Sequence, residues 1–158
     1  MSKNTPTQIW GPKAWTLIHT IGLLSKQKND VYLSNRTKNF LQNIWKILPC
    51  ANCRSDAKRY LDTHNVNIIN DNNKIFLFTF DFHNFVNKKT GKPNMDIQTF
   101  HKLYTDITDK NSKDINEYTE YLRKKGYGSG ISEFNMKYYK EFLRFLHSYC
   151  KLLKLTIH

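Results

Sequence analysis

A chain of 158 residues with 39% hydrophobic and 14% aromatic side chains has the size of one domain and too much core-forming material for a disordered segment. Its net charge of +12 fits an anionic partner or a merely Lys- and Asn-rich composition, and three cysteines are too few for a disulfide-stapled scaffold. The polar start, Met1 to Gln8, lacks an apolar signal-type stretch, and no later run is long and uncharged enough to cross a bilayer; neither secretion nor a transmembrane anchor is expected.

Pro12 suits a first helical turn, where its absent N–H is not missed, which predicts a helix from there to about Ser25. Gly11, Trp15, Ile18, His19 and Gly22 share one face of it. That face reads either as core with a satisfied histidine at its edge or as a site, because Gly22 beside His19 leaves room for something bulky against the backbone. A second helix is expected over residues 31–48, with Phe40, Leu41, Ile44, Trp45 and Leu48 at helical spacing and Lys38, Asn39 and Lys46 outward. Pro49 interrupts it, and a short third helix over 50–61 places Cys50-Ala51-Asn52-Cys53 at a helix N-terminus. The helix dipole there, with Arg54 and Lys58 nearby, favours a reactive thiolate.

Two thiols one helical turn apart can bind a metal, act as a thioredoxin-type pair, or exchange electrons in another frame. A zinc site needs further ligands, and no second CxxC or H-x-x-x-H exists, so no metal is expected. A thioredoxin fold places its pair after a strand in a βαβ pattern, whereas this one follows two helical patterns and a proline; a dithiol in a helical frame remains. Residues 65–73 read as an Asn/Asp-rich loop. In the following stretch two signals conflict: Phe76, Phe78, Phe80 and Phe82 alternate like a strand, while His83, Asn84 and Asn87 cluster at helical spacing before a Gly91/Pro93 stop. Further on, 110–113 reads as polar linker, 115–125 as a short helix and 126–130 as a Gly-rich break. Residues 133–155 read as an amphipathic helix, basic at Lys137, Lys140, Arg144, His147, Lys151 and Lys154, apolar at Tyr138, Phe142, Phe145, Tyr149, Leu152 and Leu153. It is expected to pack on its own domain or across a homodimer, with membrane-surface attachment or partner docking as alternatives.

Three blocks together resemble the Erv/ALR family of FAD-linked sulfhydryl oxidases: Trp10-Gly11-Pro12 with Trp15 and His19, then Cys50-Ala51-Asn52-Cys53, then His83-Asn84-Phe85-Val86-Asn87 through Gly91-Lys92-Pro93. The resemblance spans roughly residues 8–108. It implies an all-α fold, a four-helix bundle plus a short fifth helix enclosing FAD, so the Phe-rich stretch becomes a buried helix. The division it suggests is an oxidase-like domain over 1–108 and a helical extension over 109–158. By resemblance, Trp10, Gly11, Pro12, Trp15 and His19 approach FAD from the first helix, with Cys53 against the isoalloxazine. His83, Asn84, Val86 and Asn87 approach from the fourth helix, with Lys92 near the phosphates or ribose. Tyr104, eleven residues past Pro93, holds the place of a family Trp near the adenine.

The chain also departs from the pattern. Leu103 stands where a basic residue commonly precedes that Trp, with His101 or Lys102 as substitutes, and Asp62 and Ile97 stand where relatives often carry a second disulfide. Relatives commonly have a distal cysteine pair; this chain has Cys150 alone, readable as a buried thiol, an intermolecular disulfide or a shuttle. The resemblance implies a flavin-dependent thiol oxidase in which Cys50 is the interchange thiol, a protein dithiol (a thioredoxin-like carrier among the candidates) is the substrate, and O₂ is reduced to H₂O₂. It further implies a homodimer without specific nucleic-acid binding, in a virus-infected host cytoplasm or virion, with the mitochondrial intermembrane space as the alternative. A basic nucleic-acid-binding or interaction protein with a non-catalytic CxxC is the competing function.

Overall fold

The structure, a computed structural model, describes residues 6–128 and 136–153, with the side chains of 7–124 and 137–149. Seven α-helices and no strand occur among the described residues. Helix α1, Pro6–Lys28, begins earlier than expected and carries Pro12 inside it. Pro6 takes the first-turn role, and burial of Trp10, Ala14, Leu17, Ile18, Ile21 and Leu24 holds the helix through the backbone bond that Pro12 lacks.

Helix α1 is the element on which the others assemble, packing most extensively on α4 and α6 and then on α2. Gly22 explains how α4 comes so close: a Cβ added there would lie 2.9 Å from Thr79 Cγ2 and 3.4 Å from the Phe76 backbone. The bulky neighbour expected at this glycine is therefore a second helix. For Gly22→Ala, overpacking of about 1–3 kcal/mol outweighs a helix-propensity gain of roughly 1 kcal/mol. A lower melting temperature follows, measurable by circular dichroism; an unchanged one would show that α4 yields freely.

Asp30 caps α2, Val31–Asn43, by accepting from Leu33 N at 2.9 Å. The second helix stops short of the expected Leu48 because Ile44–Ile47 tightens into a 3-10 turn and Leu48, before Pro49, is extended at φ −73°, ψ 130°. Helix α3 covers Ala51–Thr63. A further 3-10 turn, Val66–Ile68, anchors the Asn/Asp-rich loop through fully buried Val66.

Helix α4, Asn72–Lys89, overrides the strand signal. Its phenylalanines alternate because the helix is apolar around most of its circumference: Phe76 and Phe82 are buried, Phe78 packs toward Tyr60 of α3, and Phe80 meets Phe100 of α5, Ile97–Leu103. Burial over so wide an arc, with only a narrow stripe of Lys74, Asp81 and Lys88 outward, is read by a two-residue period as readily as by a helical one.

Helix α6, Asp109–Gly128, absorbs both the expected linker at 110–113 and the first part of the Gly-rich break; 129–130 lie outside the described residues. Its start is locally encoded, since Thr108 N and Oγ1 both donate to Asn111 Oδ1, at 2.9 and 2.6 Å, and Ser112 N donates to Thr108 O. It runs antiparallel along α1. Asn111 Nδ2 donates to Thr20 Oγ1 at 3.0 Å, Thr16 Oγ1 to Asp114 Oδ2 at 3.0 Å, Lys13 Nζ lies 3.0 Å from Glu117, and Tyr118 lies against Trp10. Ile115, Tyr118 and Leu122 enter the main core, so the expected 108/109 division falls between two elements of one core.

Helix α7, Met136–Leu153, spends its apolar side internally. Phe145 stacks on Phe40 at 4.6 Å between centroids, Tyr149 bonds Thr37, and Tyr139, Phe142 and Leu146 are buried. Docking on its own domain is thus the arrangement found. The described apolar side chains are therefore not free for a membrane surface, and Lys137, Lys140, Arg144 and His147 are left exposed, while the side chains of Lys151, Leu152, Leu153 and Lys154 lie outside the described residues. The side chain of Cys150 lies outside the described residues.

Candidate functional site

Cys50 is extended, at φ −134° and ψ 125°, and caps α3: Cys53 N donates to Cys50 Sγ at 3.3 Å. Both thiols are free and half-buried, so exposure does not distinguish an outer from an inner sulfur. Burial first, then the contact with Cys50 and the charge of Asp56, push the Cys53 thiol up to about 12, so in the reduced pair this sulfur keeps its proton at neutral pH. The expectation of a thiolate favoured by neighbouring charge fails at Cys53 for two reasons. Desolvation outweighs the helix N-terminus, and the cations are turned elsewhere: Arg54 donates to Leu48 O at 2.7 Å and Lys58 pairs with Asp62 at 2.7 Å.

A stack of rings joins α1 to α4 beside this helix. Tyr60 of α3 stacks on Phe82 at 5.2 Å, Phe82 meets the edge of Trp15, and the Trp15 ring lies parallel to His83 at 4.0 Å and 8°. His19, fully buried, places Nε2 2.8 Å from His83 Nδ1 and Nδ1 2.9 Å from Thr79 Oγ1. Phe100 and Tyr104 close over His19 at 5.0 and 4.7 Å. Tyr104 shares a hydrogen bond with Thr16, and burial holds its phenol up at about 12.

Asn84 and Asn87 have a defined task in this geometry. Asn84 donates to Met95 O at 2.9 Å and accepts from Met95 N at 2.8 Å, while Asn87 O accepts from Lys92 N at 2.8 Å. Together with Gly91 at φ +75°, these bonds fold the loop carrying Lys92 back over α4. Val86 packs on the main core, and Gly11 and Pro12 lie on the partly exposed start of α1. Trp10 is not part of the ring stack; it is buried against Tyr118 of α6. A groove of about 440 Å³ between α1 and α6, lined by Ile9, Trp10, Lys13, Glu117 and Tyr121, also lies apart from the stack. Thr79 escaped the sequence reading, although it stands one helical turn before His83 on α4.

Both histidines are held neutral. Burial and then His83 lower His19 well below the ordinary value, and burial and then Lys92 lower His83 from 6.5 to about 4. The unfolded chain therefore binds more protons below pH 6.5, and stability falls as pH drops from about 6.5 toward 4. Each group contributes a slope of up to about 1.4 kcal/mol per pH unit. Urea titrations at stepped pH should show the midpoint falling through this window in wild type and less steeply in His83→Gln; equal slopes would contradict it.

The geometry defines an all-helical dithiol protein whose CxxC caps a helix beside a stack of neutral rings. Residues 12–105 match the Erv1/Alr family, more than half of the chain, and the chain belongs to that family. The 096R protein of Invertebrate iridescent virus 3 is 29% identical over 98 residues, 61% of this chain. A FAD-linked sulfhydryl oxidase of African swine fever virus is 30% identical over 95 residues, 60% of this chain and 79% of that protein. The mitochondrial FAD-linked sulfhydryl oxidase of Saccharomyces cerevisiae is 27% identical over 100 residues, 63% of this chain and 52% of that protein. The chain spans 66% and 61% of the length of its Invertebrate iridescent virus 3 and Frog virus 3 relatives. No solved structure matches. No helix among the described residues is long and apolar enough to cross a membrane, and no group of three or more metal-ligating side chains occurs among them.

Proposed function

We propose that this protein is a FAD-linked sulfhydryl oxidase that forms disulfides in protein substrates. The observation that carries the reading is the half-buried CxxC that caps α3, a helix whose Tyr60 joins the ring stack running through Phe82 to Trp15 and His83, in a chain of this family. The donor set fits a flat, phosphate-bearing cofactor: the rings of Trp15, His83 and Tyr104, the side-chain amide of Asn84 and the main-chain carbonyl of Asn87 that fix the loop of Lys92, and the exposed ammonium of Lys92 itself. Gly11 adds room, since a Cβ there would meet only Thr7 Cγ2, at 3.8 Å. Trp10, Gly11, Pro12, Trp15, His19, His83, Asn84, Val86, Asn87, Lys92 and Tyr104 would hold FAD, with Cys53 facing it; Trp10, buried against Tyr118 of α6, would do so as a brace of α1.

In the oxidised protein, a substrate thiolate attacks Cys50 Sγ and breaks the Cys50–Cys53 bond, and Cys53 leaves and takes up a proton. A second substrate thiol, as thiolate, attacks the mixed disulfide, releasing the substrate disulfide and leaving both cysteines reduced. FAD held by these residues would supply the two-electron acceptor chemistry that links the dithiol to O₂, with H₂O₂ as the product. The rings of His19 and His83, both kept neutral by burial, add no fixed charge to the face that would hold the cofactor. The viral relatives support a host-cytoplasmic or virion setting, and the usual family habit supports a homodimer that takes its electrons from a protein dithiol such as a thioredoxin-like carrier.

The test is direct. Purified full-length protein should be yellow, absorb in the flavin band and consume oxygen with a dithiol. A colourless preparation without oxygen uptake after incubation with FAD overturns the proposal.

A further inference from the structure

We infer that Thr79, which belongs to none of the motif blocks, is a positioning residue that fixes the tautomers of both His19 and His83, so that His83 presents an unprotonated Nε2 to the site. The chain of protons starts at one hydroxyl. Thr79 Oγ1 lies 2.6 Å from Phe76 O, an oxygen–oxygen separation that requires a proton between them, and the hydroxyl has only one to give. Toward His19 Nδ1, at 2.9 Å, Thr79 is therefore an acceptor, and that nitrogen carries the hydrogen.

Each next link follows from the last. A neutral imidazole bears one N–H, and complete burial keeps His19 neutral, so its Nε2 is bare. Only a donor satisfies a bare nitrogen at 2.8 Å, which places the hydrogen of His83 on Nδ1. His83 Nε2 is then a lone pair with no hydrogen-bond partner among the described residues. The reverse wiring would give the Thr79 proton to His19, leaving two oxygens in unprotonated contact at 2.6 Å. Free neutral histidine in water favours hydrogen on Nε2, so both rings are held in the form they would not choose alone.

The consequence for function rests on the FAD-oxidase reading: the cofactor side of His83 offers an acceptor and no proton. The tautomers themselves do not depend on it. Lys92 is the charge that faces His83, and it too disfavours a proton there.

The test is nitrogen-15 NMR of full-length, FAD-incubated protein, with the ring signals of His19 and His83 assigned by loss in His19→Gln and His83→Gln. Wild type should show both rings protonated at Nδ1 and unprotonated at Nε2. Thr79→Val, which keeps the shape and removes the hydroxyl, should shift His83 wholly or partly to the Nε2–H form, and Thr79→Ser should restore the wild-type pattern. His83 protonated at Nε2 in wild type, or unchanged tautomers in a folded Thr79→Val, would overturn the inference. Should Thr79→Val fail to fold, the wild-type and Thr79→Ser spectra still decide it. Flavin absorbance is read on the same samples, so a colourless protein with the stated tautomers would remove the oxidase reading and leave this one standing.

Discussion

Cys53→Ser should abolish turnover, lowering dithiol-dependent oxygen consumption by about three orders of magnitude or more, the scale expected when an obligatory covalent partner is removed. Serine can neither close the disulfide nor give up electrons, and no second pair exists among the three cysteines to take over. Cys50→Ser should be equally inactive, but the two variants are expected to differ in what they trap. If Cys50 is the interchange thiol, Cys53→Ser given an oxidised model dithiol should accumulate a mixed disulfide at Cys50, because Cys53 is the thiol that would displace it in that reverse direction. Cys50→Ser should accumulate none. Non-reducing electrophoresis with an oxidised model dithiol distinguishes the two, and trapping by Cys50→Ser alone would reverse the assigned order. Flavin absorbance retained in both variants would show that the loss is chemical and not a loss of fold.

Ending the chain after Thr108 should remove cooperative folding, even though the family match ends at residue 105. Tyr118 and Leu122 are completely buried and Ile115 nearly so, and together they cover the flank of α1 that carries Trp10, Ala14 and Leu17. Burial of one such side chain is worth about 1.5–3 kcal/mol, against a typical total stability of roughly 5–15 kcal/mol. Removing α6 also strands Thr20, a buried hydroxyl that receives Asn111, and unpairs Lys13 from Glu117. Thermal melts should show a broad, non-cooperative transition for the shortened chain. A sharp melt near that of the full chain would mean that residues 1–108 stand alone. Tyr118→Ala offers a milder version, with an expected loss of about 3–5 kcal/mol for a buried aromatic.

How much of this was legible in the sequence depended on whether the signal was local. The CxxC at a helix start was readable because Pro49 and the polar residues after Cys50 act within one turn. Helix α4 was not readable from periodicity, since a helix packed against α1, α3 and α5 keeps only a narrow polar stripe, at Lys74, Asp81 and Lys88. The linker expected at 110–113 failed because Asp, Asn and Ser suit a loop and a helix N-terminus alike; Thr108 with Asn111 makes it the latter. Within the site, the ring residues were legible only through the motif blocks. Thr79, which organises two of them, has no local signature, because its role consists of a contact sixty residues away. The raised thiol of Cys53 was hidden for the same reason: burial is a property of the assembled chain.

The antiparallel match of α1 with α6 also dictates an order of events during synthesis. Thr20 meets Asn111 across 91 residues and Thr16 meets Asp114 across 98, so α1 waits for one of its principal partners until the intervening chain has been made. At translation rates of about 5–20 residues per second, that wait is on the order of 5–20 s. Cys50 and Cys53 emerge inside this interval, while the side of α1 that α6 will cover is still bare.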